Sequence, residues 1–332
     1  MHDLKDSTDS NDSSLRDPAV VGIDVAKATL DCYFDPSGRR LRLANDEKGI
    51  AELLSHLRSM KVELVVIEAT GRHHRRVAAE LLDAAVRVAL VNPQRARKYA
   101  QSVGKLEKTD RVDAQVLSAF GRAARHHVLE KPSEKQVELA DLVSRRRALV
   151  AMRVAEKNRL AEEHQPKLAR TQAREMLRLI DQQVEDIDRA IAQLIDDDDR
   201  WKRLLEIITS VPGVSTGTAN QLLADLPELG KLNRQEIAKL AGVAPLADDS
   251  GPRRGQRRIQ GGRLNVRNAL YMAAFNAIKY CDRFKRFAKG LTGSGKPYKL
   301  VVTAAMRKLL VTLNQMIKTN SLYNPQLLVP SH

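Results

Sequence analysis

The sequence predicts an α/β domain built on a mixed sheet, followed by a mainly helical region whose last part is strongly basic. Three observations lead to this reading. From residue 20 to residue 92, short β-branched runs alternate with stretches of helical periodicity. From residue 133 to about residue 200 the composition turns charged and helical. The chain's positive excess collects in its last quarter. The 332 residues allow two or three domains, and 43% apolar content allows a substantial core.

The elements follow in order. "VVGIDVAKATLDCYF" (20–34) reads as a strand that bends into a second near Leu30, and "DPSG" is a turn. "RRLRLAN" alternates polar and apolar residues and completes a hairpin. "DEKGIAELLSHLRSM" is a helix, "KVELVVIEAT" a β-branched strand, "GRHHRRVAAELLDAA" a helix and "VRVALVNP" a strand stopped by Pro93. "QRARKYAQSVGK" and "TDRVDAQVLSAFGRAAR" are two further helices. Three antiparallel strands followed by two strands reached through helical crossovers give a mixed sheet covered by helices. That order matches the ribonuclease H-like architecture, a statement about fold rather than activity.

Beyond residue 133, Leu177, Ile180, Val184, Ile187, Ile191 and Leu194 fall at steps of 3 and 4, the a/d seam of a coiled coil. Pro166, in "HQPKL", separates two long helices. Such a seam packs either within the chain or against a partner helix, and its strictness favours a dimer. From Trp201, "LLEIITSVPGVSTGTANQLLADL" places Gly213 and Gly217 between two helices. This is either a helix-hairpin-helix that offers amides to a DNA phosphate or a simple turn between core helices. The expected segments are a disordered acidic tail (1–17), a catalytic domain (18–128), coiled-coil helices (129–200) and a basic C-terminal domain (201–332) with a Gly/Arg-rich loop at 244–263.

Composition narrows the partners. Between Ser250 and Asn320 there are sixteen Lys or Arg and one acid, Asp282, which accounts for the formal charge of +15. Self-repulsion on that scale opposes folding unless a polyanion relieves it, and nucleic acid fits. No clean amphipathic helix or long apolar run suggests a membrane. The N-terminal "MHDLKDSTDSNDSSLRD" has neither the apolar stretch of a secretory signal nor the acid-poor character of a transit peptide. The two cysteines, Cys32 and Cys281, lie far apart, as in a protein of the reducing cytoplasm without a structural zinc site.

Four carboxylates are candidates for chemistry. Asp24 lies within the first strand, Glu68 ends the strand "VVIE", and Asp110 and Asp113 sit three apart on one helix. Singly, each has an ordinary reading: a salt bridge from Asp24 to Lys27, a cap for Glu68, a capping box for Asp110 and Asp113. The fold gathers all four at one sheet edge. Like charges about 4 Å apart repel by about 4 kcal/mol at an effective dielectric near 20. Such a set therefore calls for hard cations, two Mg²⁺ or Mn²⁺ ions able to stabilise both the attacking and the leaving oxygen of a phosphodiester.

The motifs "GIDVAK", "IEATG", "VNP", "KTDRVDA", "VPGV", "LAGVAP", "DSG", "RRIQGG" and "VRNALYMAA" occur in the order found in the DEDD-type insertion-sequence transposases of the IS110 class, which include Piv-type DNA invertases. The sequence resembles this family over about residues 18 to 320. One departure is "RHHRR" after "TG", where the family often carries an aromatic. The resemblance implies a RuvC-like nuclease domain joined by a coiled coil to a domain with a nucleophilic serine. It implies Asp24, Glu68, Asp110 and Asp113 as the metal-binding tetrad and Ser250, in "DDSG", as the nucleophile, a residue that by itself reads as turn chemistry. It also implies donor and target DNA as substrates and a structured, element-encoded RNA as guide. Arg253, Arg254, Arg257, Arg258, Arg263 and Arg267 are candidates to clamp phosphates near Ser250. The competing activities are a hydrolytic nuclease of the Holliday-junction type, a non-catalytic nucleic-acid binder, and an actin-like ATPase, which the missing phosphate-gripping glycine loops disfavour.

Overall fold

The computed structural model describes residues 17–69, 73–104, 110–124, 126–162, 166–246, 249–250, 253–255 and 257–326, with backbone alone for 110–112, 246, 249, 250, 253 and 254. It divides into two compact units, Met1–Pro132 and Ser133–His332.

The first unit is built on a five-stranded sheet of β1 (Ala19–Val25), β2 (Thr29–Asp35), β3 (Arg39–Ala44), β4 (Val62–Glu68) and β5 (Val88–Val91) in the order β3-β2-β1-β4-β5. The first three strands are antiparallel, and β1, β4 and β5 run parallel. This is the strand polarity that the hairpin-then-crossover pattern predicts.

Alternation along β1 and β4 divides the core into two layers. Val21, Ile23, Val25, Val65 and Ile67 pack with Ile50, Leu53 and Leu57 of α1 (Glu47–Arg58) and Val77, Ala78 and Leu81 of α2 (His74–Asp83). Val20, Leu64 and Val66 pack on the other face with Ala96 of α3 (Pro93–Ser102) and Leu117 and Phe120 of α4 (Asp110–Ala123). Side chains cap the helix starts. Asp46 accepts from the Gly49 amide at 2.9 Å, and Asn92, ahead of Pro93, accepts from Gln94 at 2.8 Å. Cys32 is buried in the α1/α2 layer, and burial, reinforced by the charge of Asp31, pushes its thiol up to about 12.

In the second unit α5 (Glu134–Ala161) and α6 (Lys167–Asp196) form an antiparallel hairpin, held in register by Lys135 to the Asp197 carbonyl, Arg146 to Asp188 and Arg153 to Asp181. The heptad seam faces inward. Ile180 and Val184 pack on Leu149, while Ile191 and Ile195 enter the same core as Leu139, Val143 and Trp201. The predicted seam therefore packs on a helix of the same chain. The two helices are also not a separate module, because their ends are rooted in the C-terminal core.

That core is completed by α7 (Asp199–Thr209), α8 (Thr216–Asp225), α9 (Arg234–Leu240), α10 (Leu264–Tyr280), α11 (Asp282–Gly293) and α12 (Tyr298–Lys318). Helix α12 is long and apolar enough to cross a membrane, a feature the reading by apolar runs did not register. Its Val302, Ala305, Leu309, Leu310 and Leu313 are fully buried in the core, which accounts for its hydropathy. Gly213, between α7 and α8, has φ +91°, and an added Cβ would lie 2.7 Å from the backbone of Asn276 and Ala277. The glycine thus permits close packing of this turn on α10. Gly217 lies in the first turn of α8, with only Ser215 Oγ near it.

Candidate active site

In the first unit β1 and β4 pair in parallel up to Ile23 opposite Ile67, so the next residues, Asp24 and Glu68, end adjacent strands side by side. Both are half-buried. Neighbouring strands lie about 4.8 Å apart, which places the two carboxylates within mutual repulsion.

Helix α4 lies on the face they share. A Cβ added at Gly22 would stand 2.0 Å from the Ala114 carbonyl oxygen and 2.5 Å from the Ser118 amide nitrogen. One added at Gly121 would stand 2.6 Å from Val66 Cγ2 and 2.8 Å from Val20 Cγ1. The helix therefore runs antiparallel to β1, and its first turn overhangs the end of the strand that carries Asp24. Asp24 shares the face of Gly22, and Asp113 immediately precedes Ala114. Asp110 opens the same helix, with its side chain outside the described residues.

The backbone thus brings Asp24, Glu68, Asp113 and the Asp110 position to one edge of the sheet. Among the described residues no three carboxylate, imidazole or thiol groups form a ready-made metal cage. Asp24, Glu68 and Asp113 each take part in a polar or electrostatic interaction as they stand. The donor set fits a hard divalent ion: all oxygen, drawn from three elements, and mutually repulsive without a cation.

A fifth acid lies beside them that sequence reasoning missed. Asp31 of β2 pairs with Asp24 across the β1–β2 ladder, and Arg42 of β3 pairs with Asp31. The tight turn after Val25 fixes this register, so the hairpin pattern contained the signal.

In the second unit the Gly/Arg-rich segment is a two-stage β arm. β6 (Pro245–Leu246) pairs with β9 (Arg258–Ile259), and beyond them β7 (Asp249–Ser250) pairs with β8 (Arg253–Arg254). Ser250 is the last residue of β7, opposite Arg253. The arm's root is tight. An added Cβ on Gly242 would lie 2.1 Å from the Gly261 carbonyl oxygen, and Gly242, Gly261 and Gly262 all have positive φ.

Two of the arginines expected on phosphate are used at this root. Arg263 donates 2.6 Å hydrogen bonds from Nη1 and Nη2 to the two carboxylate oxygens of Glu228, and Nη1 also reaches the Asp225 carbonyl at 3.0 Å. Arg267 Nη1 donates to the Gly261 carbonyl at 2.8 Å. The fork geometry that suits phosphate suits a carboxylate equally. Arg257 and Arg258 are exposed, and the side chains of Arg253 and Arg254 lie outside the described residues. Helix α10 also exposes Tyr271, Met272 and Phe275, an apolar patch the residue motifs did not single out.

Arg263→Ala is expected to destabilise the second unit by about 1–3 kcal/mol. The range for a buried pair is discounted because the Arg263 side chain is 35% exposed. A lower urea midpoint with an unchanged salt slope of DNA binding is the expected pattern. A phosphate contact would instead reduce that slope and spare stability.

Residues 21–163 match the family model of the DEDD transposase domain of IS110, described as "Transposase". Residues 205–289 match a second model, "Transposase IS116/IS110/IS902 family". The chain belongs to the IS110 family of transposases. It is 26% identical over 310 residues to the "Pilin gene-inverting protein" of Moraxella bovis and, equally, to that of Moraxella lacunata, covering 90% of this chain and 96% of each relative. A structure of T. thermophilus RuvC in complex with Holliday junction substrate aligns over 34% of this chain at 13% identity with a TM-score of 0.25, a likeness too low to add to the topology above. As an IS110-family transposase the chain is a DNA-recombining enzyme. The first match spans the sheet with its carboxylate edge, and the second contains the β arm.

Proposed function

We propose that this transposase cuts and exchanges DNA strands in the cytoplasm through a covalent serine–DNA intermediate. Asp24, Glu68, Asp110 and Asp113 would hold divalent cations, and Ser250 would be the nucleophile. The observation that carries the reading is the placement of Asp24 and Glu68 at consecutive register on two central parallel strands, under the first turn of the helix that bears the other two acids.

Two Mg²⁺ or Mn²⁺ ions there would lower the pKa of a bound hydroxyl and neutralise charge on the phosphate oxygens. The chain's own residues do the rest. The β arm presents Ser250 at its outer end, and the exposed Arg257 and Arg258, with Arg253 and Arg254 beside the serine in sequence, counter the phosphate backbone. The Ser250 hydroxyl loses its proton and its oxygen attacks phosphorus. A phosphoserine ester forms, the bond to one deoxyribose oxygen breaks, and that oxygen takes up a proton. Attack by another DNA hydroxyl reverses the step, so strands rejoin without a nucleotide cofactor. The basic C-terminal unit suits donor and target DNA together with a structured guide RNA whose pairing would supply sequence choice. Because the α6 seam is filled from within the chain, a homo-oligomer would assemble through other surfaces.

The test is a denaturing gel with end-labelled DNA carrying the element's ends, using the purified protein with its co-purifying RNA and Mg²⁺. The expected result is a slow protein–DNA adduct in the wild type that is lost in Ser250→Ala together with strand exchange. Free nicked product that persists undiminished in Ser250→Ala would instead assign a hydrolytic nuclease.

A further inference from the structure

We infer that Asp31 is a positioning residue of the cation site: its buried charge, set opposite Asp24, strengthens divalent binding there without ligating the metal. The inference rests on the cation reading above.

Asp31 is 7% exposed, and residues paired across an antiparallel ladder share one face, so its side chain lies on the α4 face beside Asp24. The face is confirmed two residues on. Tyr33 receives a hydrogen bond from Gln115 of α4, and Arg40, opposite Tyr33, also reaches Gln115. Along one row of the sheet stand Arg42, Asp31, Asp24 and, at the next strand, Glu68.

This arrangement is unfavourable on its own terms. Like charges directly opposite each other on a ladder are destabilising, and buried carboxylates are normally hydrogen-bonded. Asp31 has instead a loose ion pair, Arg42 Nε to Oδ1 at 3.8 Å, and among the described residues nothing donates a hydrogen bond to its carboxylate. Arg42 is itself 61% exposed, so solvent screens it. A residue kept only to pin β2 to β3 gains little from this environment. The same features follow if a cation at Asp24 offsets the combined charge. Asp31, one strand farther from Glu68 than Asp24, then adds field without a coordinate bond, while Arg42 holds its carboxylate toward β3.

The experiment is Mn²⁺ binding by the full-length protein, with free Mn²⁺ counted by electron paramagnetic resonance, alongside thermal unfolding in EDTA. Asp31→Asn keeps shape and removes charge. The expected result is Mn²⁺ binding weakened about 10-fold or more, as for outer-shell partners of metal ligands, with a metal-free melting point equal to or above that of the wild type. A lower metal-free melting point with unchanged Mn²⁺ affinity marks a structural ion pair and overturns the inference. Wild-type protein that binds no Mn²⁺ overturns the cation reading itself, so the two failures are distinguishable. Should Asp31→Asn not fold, Arg42→Gln decides: tightened Mn²⁺ affinity supports a role for the Asp31 charge, and affinity kept or lost overturns it.

Discussion

Asp24→Asn is expected to reduce strand cleavage by about 10³-fold or more while leaving nucleic-acid binding intact. The substitution is nearly isosteric, so the sheet has no reason to rearrange, yet it removes one charge and one anionic oxygen from the centre of the acidic edge. Cation stabilisation of a phosphoryl transition state supplies several kcal/mol, and each 1.36 kcal/mol is tenfold in rate, so a loss of about 4 kcal/mol gives about 10³. The sign of the stability change distinguishes this from damage to the fold. In EDTA the wild type holds Asp24 beside Glu68 and opposite Asp31, three acids on adjacent strands. Removing the middle charge relieves two repulsions, so the metal-free variant should melt at the same temperature or higher. Added Mn²⁺ should raise the melting point of the wild type more than that of the variant. Cleavage at near wild-type rate in Asp24→Asn would remove the acidic edge from the chemistry altogether, and loss of DNA binding together with activity would show that the substitution had disturbed more than the cation.

How much of this was legible in the sequence depended on whether the deciding interaction was local. The five strands and their polarity were, because period-2 alternation and crossover helices act through short stretches. Asp24 and Glu68 stood out because carboxylates in β-branched runs are costly to bury without a counter-charge. Asp31 did not stand out, because its importance lies in cross-strand register, which emerges only when the β1–β2 hairpin is aligned residue by residue. The heptad seam was read correctly as a helix-packing stripe. What it packs against was not in the spacing, since a neighbouring helix of the same chain and a helix of another copy present the same apolar surface. The intrachain partners of Arg263 and Arg267 are not legible in the sequence for a related reason. A guanidinium's partner is set by what the fold places opposite it, here Glu228 and the Gly261 carbonyl. The close approach of Gly213 to α10 is likewise a long-range contact that the turn's own residues do not display.

Gly22→Ala is expected to lower the stability of the first unit by about 3 kcal/mol or more, at or beyond the upper end of ordinary overpacking. Its Cβ would stand 2.0 Å from the Ala114 carbonyl oxygen and 2.5 Å from the Ser118 amide nitrogen. Both are backbone atoms of α4, so no rotamer change can give way. The whole helix must move off β1, and with it the turn that carries Asp110 and Asp113. Gly121→Ala offers a measured contrast. There the new Cβ meets Val66 Cγ2 at 2.6 Å and Val20 Cγ1 at 2.8 Å, side-chain atoms able to shift in part. Gly290→Ala in α11 meets nothing within 4 Å and should stabilise by about 0.5–1 kcal/mol through helix propensity. Urea unfolding should therefore rank the three with Gly22→Ala lowest, Gly121→Ala next and Gly290→Ala at or above wild type. The same displacement predicts weaker Mn²⁺ binding in Gly22→Ala even where the protein remains folded, because the helical carboxylates retreat from Asp24 and Glu68. A Gly22→Ala variant as stable as the wild type, with full Mn²⁺ affinity, would mean that α4 does not lie on β1, and the gathering of the four acids at one edge would lose its structural basis.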